Sequence, residues 1–133
     1  MDLLRSDLVY IMKSDVLIVG DGIAGLSSAI IAKQKGLETV VLQPSTKPRD
    51  AFHVVLHPGI EALLKTLGVA QEAACLASSR PDGYWRYSAE GRDFVLYGQD
   101  AEGPWLGYLV SLRELETLLR ARAQFLGAIF LRP

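Results

Sequence analysis

The sequence, of 133 residues, has few of the residues that several large classes of protein need. Cys75 is the single cysteine, which excludes an internal disulfide and favours a reducing compartment, the cytoplasm, over a secreted scaffold. No apolar run approaches the roughly 20 residues of a membrane span, so no membrane partner is expected. His53 and His57 are the two histidines, and no cysteine or acidic cluster joins them. No metal site is therefore predicted.

An excess of charge of either sign is also lacking. The chain has 14 Lys+Arg and 15 Asp+Glu, for a net charge of −1. Without a basic block or stripe, a nucleic-acid partner has no electrostatic support. Half of the residues are hydrophobic and 22% are charged, as in a globular protein of about one domain. Residues 1–12 lack the charge-free stretch of a secretory signal. We predict that they form an extension and that residues 13–133 form the domain.

A strand, a glycine-rich turn, a helix and a second strand follow one another near the start. Val16–Val19 is a short run of β-branched and leucine residues, typical of a strand covered on both faces. The glycine-rich segment Gly20–Gly25 follows at once. Leu26–Lys35 is predicted to be a helix that ends at a glycine, and Thr39–Leu42 a strand. The pattern predicts a βαβ unit with parallel strands.

The glycine-rich segment has the spacing G-x-G-x-x-G in this structural context. Gly20 permits a tight turn, Gly22 lets the backbone approach a pyrophosphate, and Gly25 lets the helix pack closely on the strand. Ile23 and Ala24 would then present free N–H groups and the positive end of the helix dipole to phosphate oxygens. The segment predicts dinucleotide binding, the alternative being a glycine-rich turn in an ordinary α/β fold.

The end of the second strand lacks the acid that usually binds the ribose hydroxyls. Gln43 stands about 20 residues after the glycines, where that acid is expected. An amide binds a hydroxyl more weakly than a carboxylate does. Gln43 is therefore either a weakened ribose contact or a solvent-facing loop residue. If it is the contact, Gln43→Glu should tighten adenosine binding by about 1 kcal/mol.

The rest of the chain predicts more helices and a hairpin. Pro58 suits the first turn of a helix with apolar residues at helical spacing, and Gln71–Ala77 would form a second, short helix. The aromatic-rich segments Tyr84–Tyr87 and Phe94–Tyr97 predict a β-hairpin. Cys75 is expected to be a small buried hydrophobic residue.

A long helix and a last strand are predicted near the end of the chain. Ser111 and Glu114 have the spacing of a capping box. The buried face of the helix would consist of Leu112, Leu115, Leu119, Ala123 and Leu126. Arg120 and Arg122 would lie on its solvated face, and Ala128–Leu131 would form the strand.

Three segments resemble one family of flavoproteins. Asp15–Ala29 resembles the N-terminus of FAD-dependent oxidoreductases. Leu56–Val69 is similar to the helix after the second strand in flavoprotein aromatic monooxygenases and flavin-dependent halogenases. Gly107–Arg113, followed by Gly127 and Ala128, resembles the arginine, helix and Gly-Ala segment of these enzymes. The order matches the p-hydroxybenzoate hydroxylase fold, and His57 with the following Pro-Gly resembles its tryptophan halogenase branch.

The resemblance implies an α/β fold with a Rossmann-like FAD-binding βαβ unit, a parallel sheet and a small β-hairpin, incomplete at the C-terminus. It implies FAD as the cofactor, Arg113 as a cofactor contact and Arg49 as a contact near the pyrophosphate. By family position His57 would face the flavin, although capping of its helix is the simpler interpretation. No catalytic residue is assigned.

The function that the resemblance implies is that of the FAD-binding portion of an aromatic-substrate monooxygenase or halogenase. NAD(P)H or a flavin reductase would supply electrons. The glycine fingerprint alone also allows an NAD(P)-dependent dehydrogenase, and a non-catalytic truncated nucleotide-binding fragment is a third alternative. We expect the chain alone to show little oxygenase turnover. A sheet ending near Leu131 would leave an apolar surface, so we also expect self-association.

Overall fold

The computed structural model describes residues 13–44, 53–77, 83–87, 93–97 and 108–132. The predicted extension at residues 1–12 and the segment that contains Arg49 lie outside these ranges. Within them the strands are β1 Val16–Val19, β2 Thr39–Leu42, β3 His53–Leu56, β4 Gly83–Tyr87, β5 Asp93–Tyr97, β6 Tyr108–Ser111 and β7 Ile129–Leu131. The helices are α1 Ile23–Gln34, α2 Glu61–Leu67, α3 Ala70–Leu76 and α4 Leu112–Phe125, with a 3-10 turn at Pro58–Ile60.

Three parallel strands form the sheet that the βαβ pattern predicts, in the order β1-β2-β7. Ile18, Val41 and Phe130 are in register across it and face the helices. Parallel strands need a crossover connection, and α1 provides it between β1 and β2. The predicted α/β fold with a parallel sheet is confirmed.

The hydrophobic core joins the parallel sheet, α1 and α4 to buried residues of α2, α3, β3 and β6. Leu26, Ala29 and Ile30 of α1 are completely buried. On α4 the predicted face is confirmed, because Leu112, Leu115, Leu119 and Ala123 are buried and Leu126 is partly buried. The Ser111 hydroxyl caps α4 by accepting a hydrogen bond from the Glu114 amide at 3.5 Å. α1 therefore packs on the parallel sheet, and α4 packs against α1.

Two antiparallel pairs accompany the parallel sheet. The hairpin strands β4 and β5 pair with Tyr84 opposite Leu96, as predicted, while their connecting turn lies outside the described residues. The pair β3–β6, with Val54 opposite Val110, was not predicted. Each of its strands has four residues, and they are distant in sequence, so no local turn signal marks the pair.

Some helix bounds and surface assignments differ from the prediction. The first helix begins at Ile23 rather than Leu26, so that Gly25, a poor helix former, lies inside its first turn. Cys75 is exposed rather than buried, since α3 buries only Ala73 fully. Arg122 is not simply solvated, because its Nε donates to the Leu67 carbonyl oxygen at 3.2 Å and thus caps α2.

The other face of the parallel sheet carries exposed apolar side chains at β1. Leu17 is 47% exposed and Val19 is 78% exposed, whereas Val40, beside Leu17 on β2, is buried. None of the described helices is both long and apolar enough to cross a membrane.

Candidate functional site

The loop between β1 and α1 lies at the carboxyl edge of the parallel sheet, where open α/β sheets bind ligands. Gly20 has a φ of 110°, which favours glycine, and its N–H donates to the Leu42 carbonyl oxygen at 2.9 Å. Gly22, the N-cap of α1, has a φ of −76° and a ψ of 179°, an extended conformation open to any residue. The backbone at Gly22 thus does not itself require a glycine.

The N-terminus of α1 is not capped by a side chain. The first intrahelical hydrogen bond runs from the Leu26 N–H to the Gly22 carbonyl oxygen, at 2.9 Å. The N–H groups of Ile23, Ala24 and Gly25 precede it and have no intrahelical acceptor. With no acid in the first turn of α1, these donors and the helix dipole suit a phosphate group.

Gly25 sets the distance between α1 and β1. A Cβ atom there would lie 2.2 Å from the Gly20 carbonyl oxygen and 3.4 Å from Cγ2 of Ile18. The first separation is far below van der Waals contact. The close approach of helix and strand predicted at Gly25 is therefore present in the structure.

A network of hydrogen-bonded polar side chains connects the carboxyl ends of all three parallel strands. Asp21, which follows β1, pairs through Oδ2 with Nη2 of Arg120 on α4. Gln43, which follows β2, donates from Nε2 to the same Oδ2 atom at 3.4 Å. Arg132, which follows β7, donates from Nε to Oε1 of Gln43 at 3.2 Å. Gln43 is thus part of an ordered polar cluster at the carboxyl edge.

The Asp21–Arg120 ion pair is partly buried. The side chains are 28% and 31% exposed, respectively, and the guanidinium of Arg120 lies 5.2 Å from the ring centre of Phe130. Burial alone would raise the pKa of Asp21, but the hydrogen bond and charge of Arg120, with further hydrogen bonds from Gln43 and the Asp21 amide, lower it below 3.8. Asp21 is therefore ionised at neutral pH.

Sequence reasoning missed three members of this cluster: Asp21, Arg120 and Arg132. The signal for Asp21 was an acid between the first two glycines of the fingerprint. The prediction that Arg120 lies on a solvated face is wrong, because its side chain pairs with Asp21 and lies over the ring of Phe130. Helical spacing alone does not show that β7 and the β1–α1 loop lie beside α4. Arg132 follows the predicted last strand and thus shares an edge with Gln43.

Two other residues singled out in the sequence lie apart from the cluster. Arg113 is exposed in the first turn of α4, and no hydrogen bond or ion pair joins its side chain to Asp21, Gln43, Arg120 or Arg132. His57 is exposed, and its Nδ1 accepts a hydrogen bond from the Gly59 N–H at 3.0 Å. This bond is the helix-start capping that the simpler interpretation predicts. Across the described ranges, no three His, Cys, Asp or Glu side chains group as metal ligands would.

Residues 15–54 match the FAD binding domain family. The match includes β1, the loop between β1 and α1, α1, β2 and Gln43, and therefore the part of the carboxyl edge that β1 and β2 form. No curated protein matches the chain by sequence.

Several solved structures share the fold. The myxobacterial chondrochloren halogenase, described as a variant of FAD-dependent halogenases, has a TM-score of 0.73 and 18% identity over 90% of this chain and 28% of its own. The tetrameric form of 2-methyl-3-hydroxypyridine-5-carboxylic acid oxygenase has a TM-score of 0.69 and 22% identity over 87% of this chain and 30% of its own. A flavin-dependent brominase has a TM-score of 0.69 and 21% identity, over 89% and 29%.

The fold is that of the FAD-binding region of flavin-dependent halogenases and oxygenases, as the resemblance predicted. The chain spans less than a third of the length of these structural relatives. FAD is the cofactor that the family match indicates, and the uncapped start of α1 with the close Gly25 contact fits its pyrophosphate. The matches give no support to the NAD(P)-dependent dehydrogenase alternative.

Proposed function

We propose that this chain holds the ADP half of FAD for an aromatic-substrate monooxygenase or halogenase. One observation carries the proposal: the N-terminus of α1 is free of side-chain caps, directly after a parallel strand, inside the segment that matches the FAD binding domain family. Backbone donors and the helix dipole both favour phosphate there.

The proposed contacts divide by the part of the cofactor that they would meet. Gly20, Gly22, Ile23, Ala24 and Gly25 would surround the pyrophosphate, with Gly22 leaving room for its approach. Gln43, which follows β2, would lie on the ribose side of the cofactor. The resemblance adds Arg113 as a further cofactor contact and Arg49 near the pyrophosphate.

Bound FAD would supply the redox chemistry, as flavins do in such enzymes. The residues of this chain would bind and orient its nucleotide end. The proposal extends to a small aromatic substrate, to NAD(P)H or a flavin reductase as the electron source, and to a cytoplasmic location, which the single cysteine supports.

Calorimetric titration of the purified chain with ADP, FAD and NAD⁺ tests the proposal. We expect ADP and FAD to bind with a similar affinity, because the contacts described here lie at the ADP half, and ADP to displace FAD. Loss of the visible absorption of bound FAD after gel filtration with excess ADP would report the displacement. A folded chain that binds neither ligand, or prefers NAD⁺, would contradict the assignment.

A further inference from the structure

The carboxylate of Asp21 lies beside Gln43, which stands where an acid that binds the ribose hydroxyls is expected. Nε2 of Gln43 donates to Oδ2 of Asp21 at 3.4 Å, so the two side chains meet at their ends. An acid at position 43 would bring its carboxylate into the same region. Asp21, in the loop after β1, therefore supplies the negative charge that Gln43 does not carry.

The amide of Gln43 is engaged at both of its polar atoms. Its nitrogen donates to Asp21, and its oxygen accepts a hydrogen bond from Nε of Arg132 at 3.2 Å. That oxygen is the only acceptor on the side chain. Because it is neutral and already has a charged donor, it is a weaker partner for a hydroxyl than a carboxylate would be.

Asp21 has both a fixed orientation and spare capacity to accept hydrogen bonds. Arg120 holds its Oδ2, and Arg120 is itself placed over the ring of Phe130. A carboxylate offers about four acceptor positions. Arg120, Gln43 and the amide of Asp21 itself account for three donors, so at least one position is left for a ligand. The side chain is 28% exposed, which leaves it within reach of a ligand at this edge.

We propose that Asp21 is the acceptor for the hydroxyls of the adenosine ribose, and that Arg120 and Gln43 position it. The inference rests on the proposed function, because it requires the ADP half of a dinucleotide to lie at this edge of the sheet. It assigns the specificity for an unmodified ribose to a residue inside the glycine loop. It also excludes a 2′-phosphorylated ribose, whose charge would lie against Asp21.

The alternative is a site that prefers a 2′-phosphorylated ribose to an unmodified one. An arginine near the ribose accommodates the 2′-phosphate in some dinucleotide-binding proteins. In this alternative Arg132, whose Nε donates to the neutral Gln43, would be that arginine. The ionised Asp21 carboxylate in contact with Gln43 favours the hydroxyl instead.

The test compares ADP, 2′-deoxy-ADP and 2′-phosphorylated ADP in calorimetric titrations of the full chain. We expect the unmodified chain to bind ADP at least about tenfold more tightly than 2′-deoxy-ADP, which is the lower end of the usual range for a hydrogen bond to a charged group. Asp21→Asn should remove most of this preference. Asp15→Asn is the matched control, because Asp15 lies at the other end of β1 and bonds the Glu38 amide.

The ratio of two affinities measured on one variant is insensitive to partial unfolding, which circular dichroism checks separately. The inference is overturned if Asp21→Asn keeps the preference. If Gln43→Leu then loses it, position 43 is the acceptor. Tighter binding of 2′-phosphorylated ADP than of ADP would also overturn it. A folded, unmodified chain that binds no ADP would overturn the proposed function together with this inference.

Discussion

Gly22 and Gly25 lack a side chain for different physical reasons, and substitutions separate them. Gly22 has an extended backbone that valine adopts readily, so Gly22→Val should fold. Its side chain would occupy the space that a pyrophosphate needs. We expect Gly22→Val to lose measurable ADP binding while keeping its circular dichroism spectrum and its urea midpoint close to those of the parent chain.

The matched variant is Gly25→Val, whose Cβ would lie 2.2 Å from the Gly20 carbonyl oxygen. Relief of that overlap requires α1 to move away from β1, so we expect the free energy of unfolding to fall by about 3 kcal/mol. If Gly22→Val binds ADP as tightly as the parent chain does, the assignment of the pyrophosphate to this loop is wrong, whatever the result for Gly25→Val.

Gln43→Glu distinguishes the sequence-based prediction from the structural one. From the sequence alone the glutamate should tighten adenosine binding. In the structure it would place a second carboxylate beside Asp21 and remove a hydrogen-bond donor to it. We therefore expect no gain in ADP affinity and a higher pKa for Asp21, measured by carbon-13 NMR of the side-chain carboxyl. A gain near 1 kcal/mol would return the ribose contact to residue 43.

Between elements, the Asp21–Arg120 pair links the β1–α1 loop to α4, and its contribution to stability depends on pH. The pKa of Asp21 is lower in the folded chain than its ordinary value of 3.8. The stabilisation is therefore complete well above that value and is lost as the pH falls through the folded pKa. We expect Asp21→Asn to cost about 1 kcal/mol at neutral pH, because the pair is only partly buried.

The measurement is urea unfolding of the parent chain and of Asp21→Asn at neutral pH and at acidic pH values below 3.8. The difference between the two proteins should shrink with acidification, because Asp21 becomes protonated in the parent chain. The other carboxyl groups titrate in both proteins, so their effects cancel. Arg120→Met, which retains an apolar stem over Phe130, should raise the pKa of Asp21. A difference that stays constant with pH would show that the pair does not stabilise the fold.

The elements that sequence reasoning predicted are those with local signals. β1, α1 and β2 follow one another around the glycine loop, and Ser111 marks the start of α4. The pair β3–β6 has no such signal. The candidate site likewise has a part with a local signal, the glycine-rich segment, and a part without one, the polar cluster. Asp21 and Arg120 of that cluster are 99 positions apart, and no spacing rule connects them. Local patterns predict which residues surround a phosphate, whereas the polar cluster requires the tertiary structure.

For the whole molecule, the exposed apolar face at β1 supports the expectation of self-association. Leu17 and Val19 alternate with Val16 and Ile18 and project from the sheet face opposite α1. Among the described strands β1 pairs only with β2 and is therefore an edge strand of this sheet. We expect sedimentation velocity to detect oligomers that the double substitution Leu17→Thr with Val19→Thr reduces, because threonine keeps the strand propensity but is less apolar.

Phe125 provides the control for this prediction. It is 81% exposed on α4, as an apolar side chain away from β1. Phe125→Ser should leave the size distribution unchanged if the sheet face is responsible for association. Equal effects of both changes would indicate general hydrophobic association, and no oligomer at any concentration would contradict the expectation.

The late position of β7 in the chain has a consequence for folding kinetics. Gln43 and Arg132, which meet at the carboxyl edge, are separated by 89 positions, so this edge closes only after a long loop has been ordered. The glycine loop and α1 are local and can form earlier. In a refolding experiment, helical circular dichroism should therefore recover before the preference for ADP over 2′-deoxy-ADP, and ribose discrimination would mark the last step of folding.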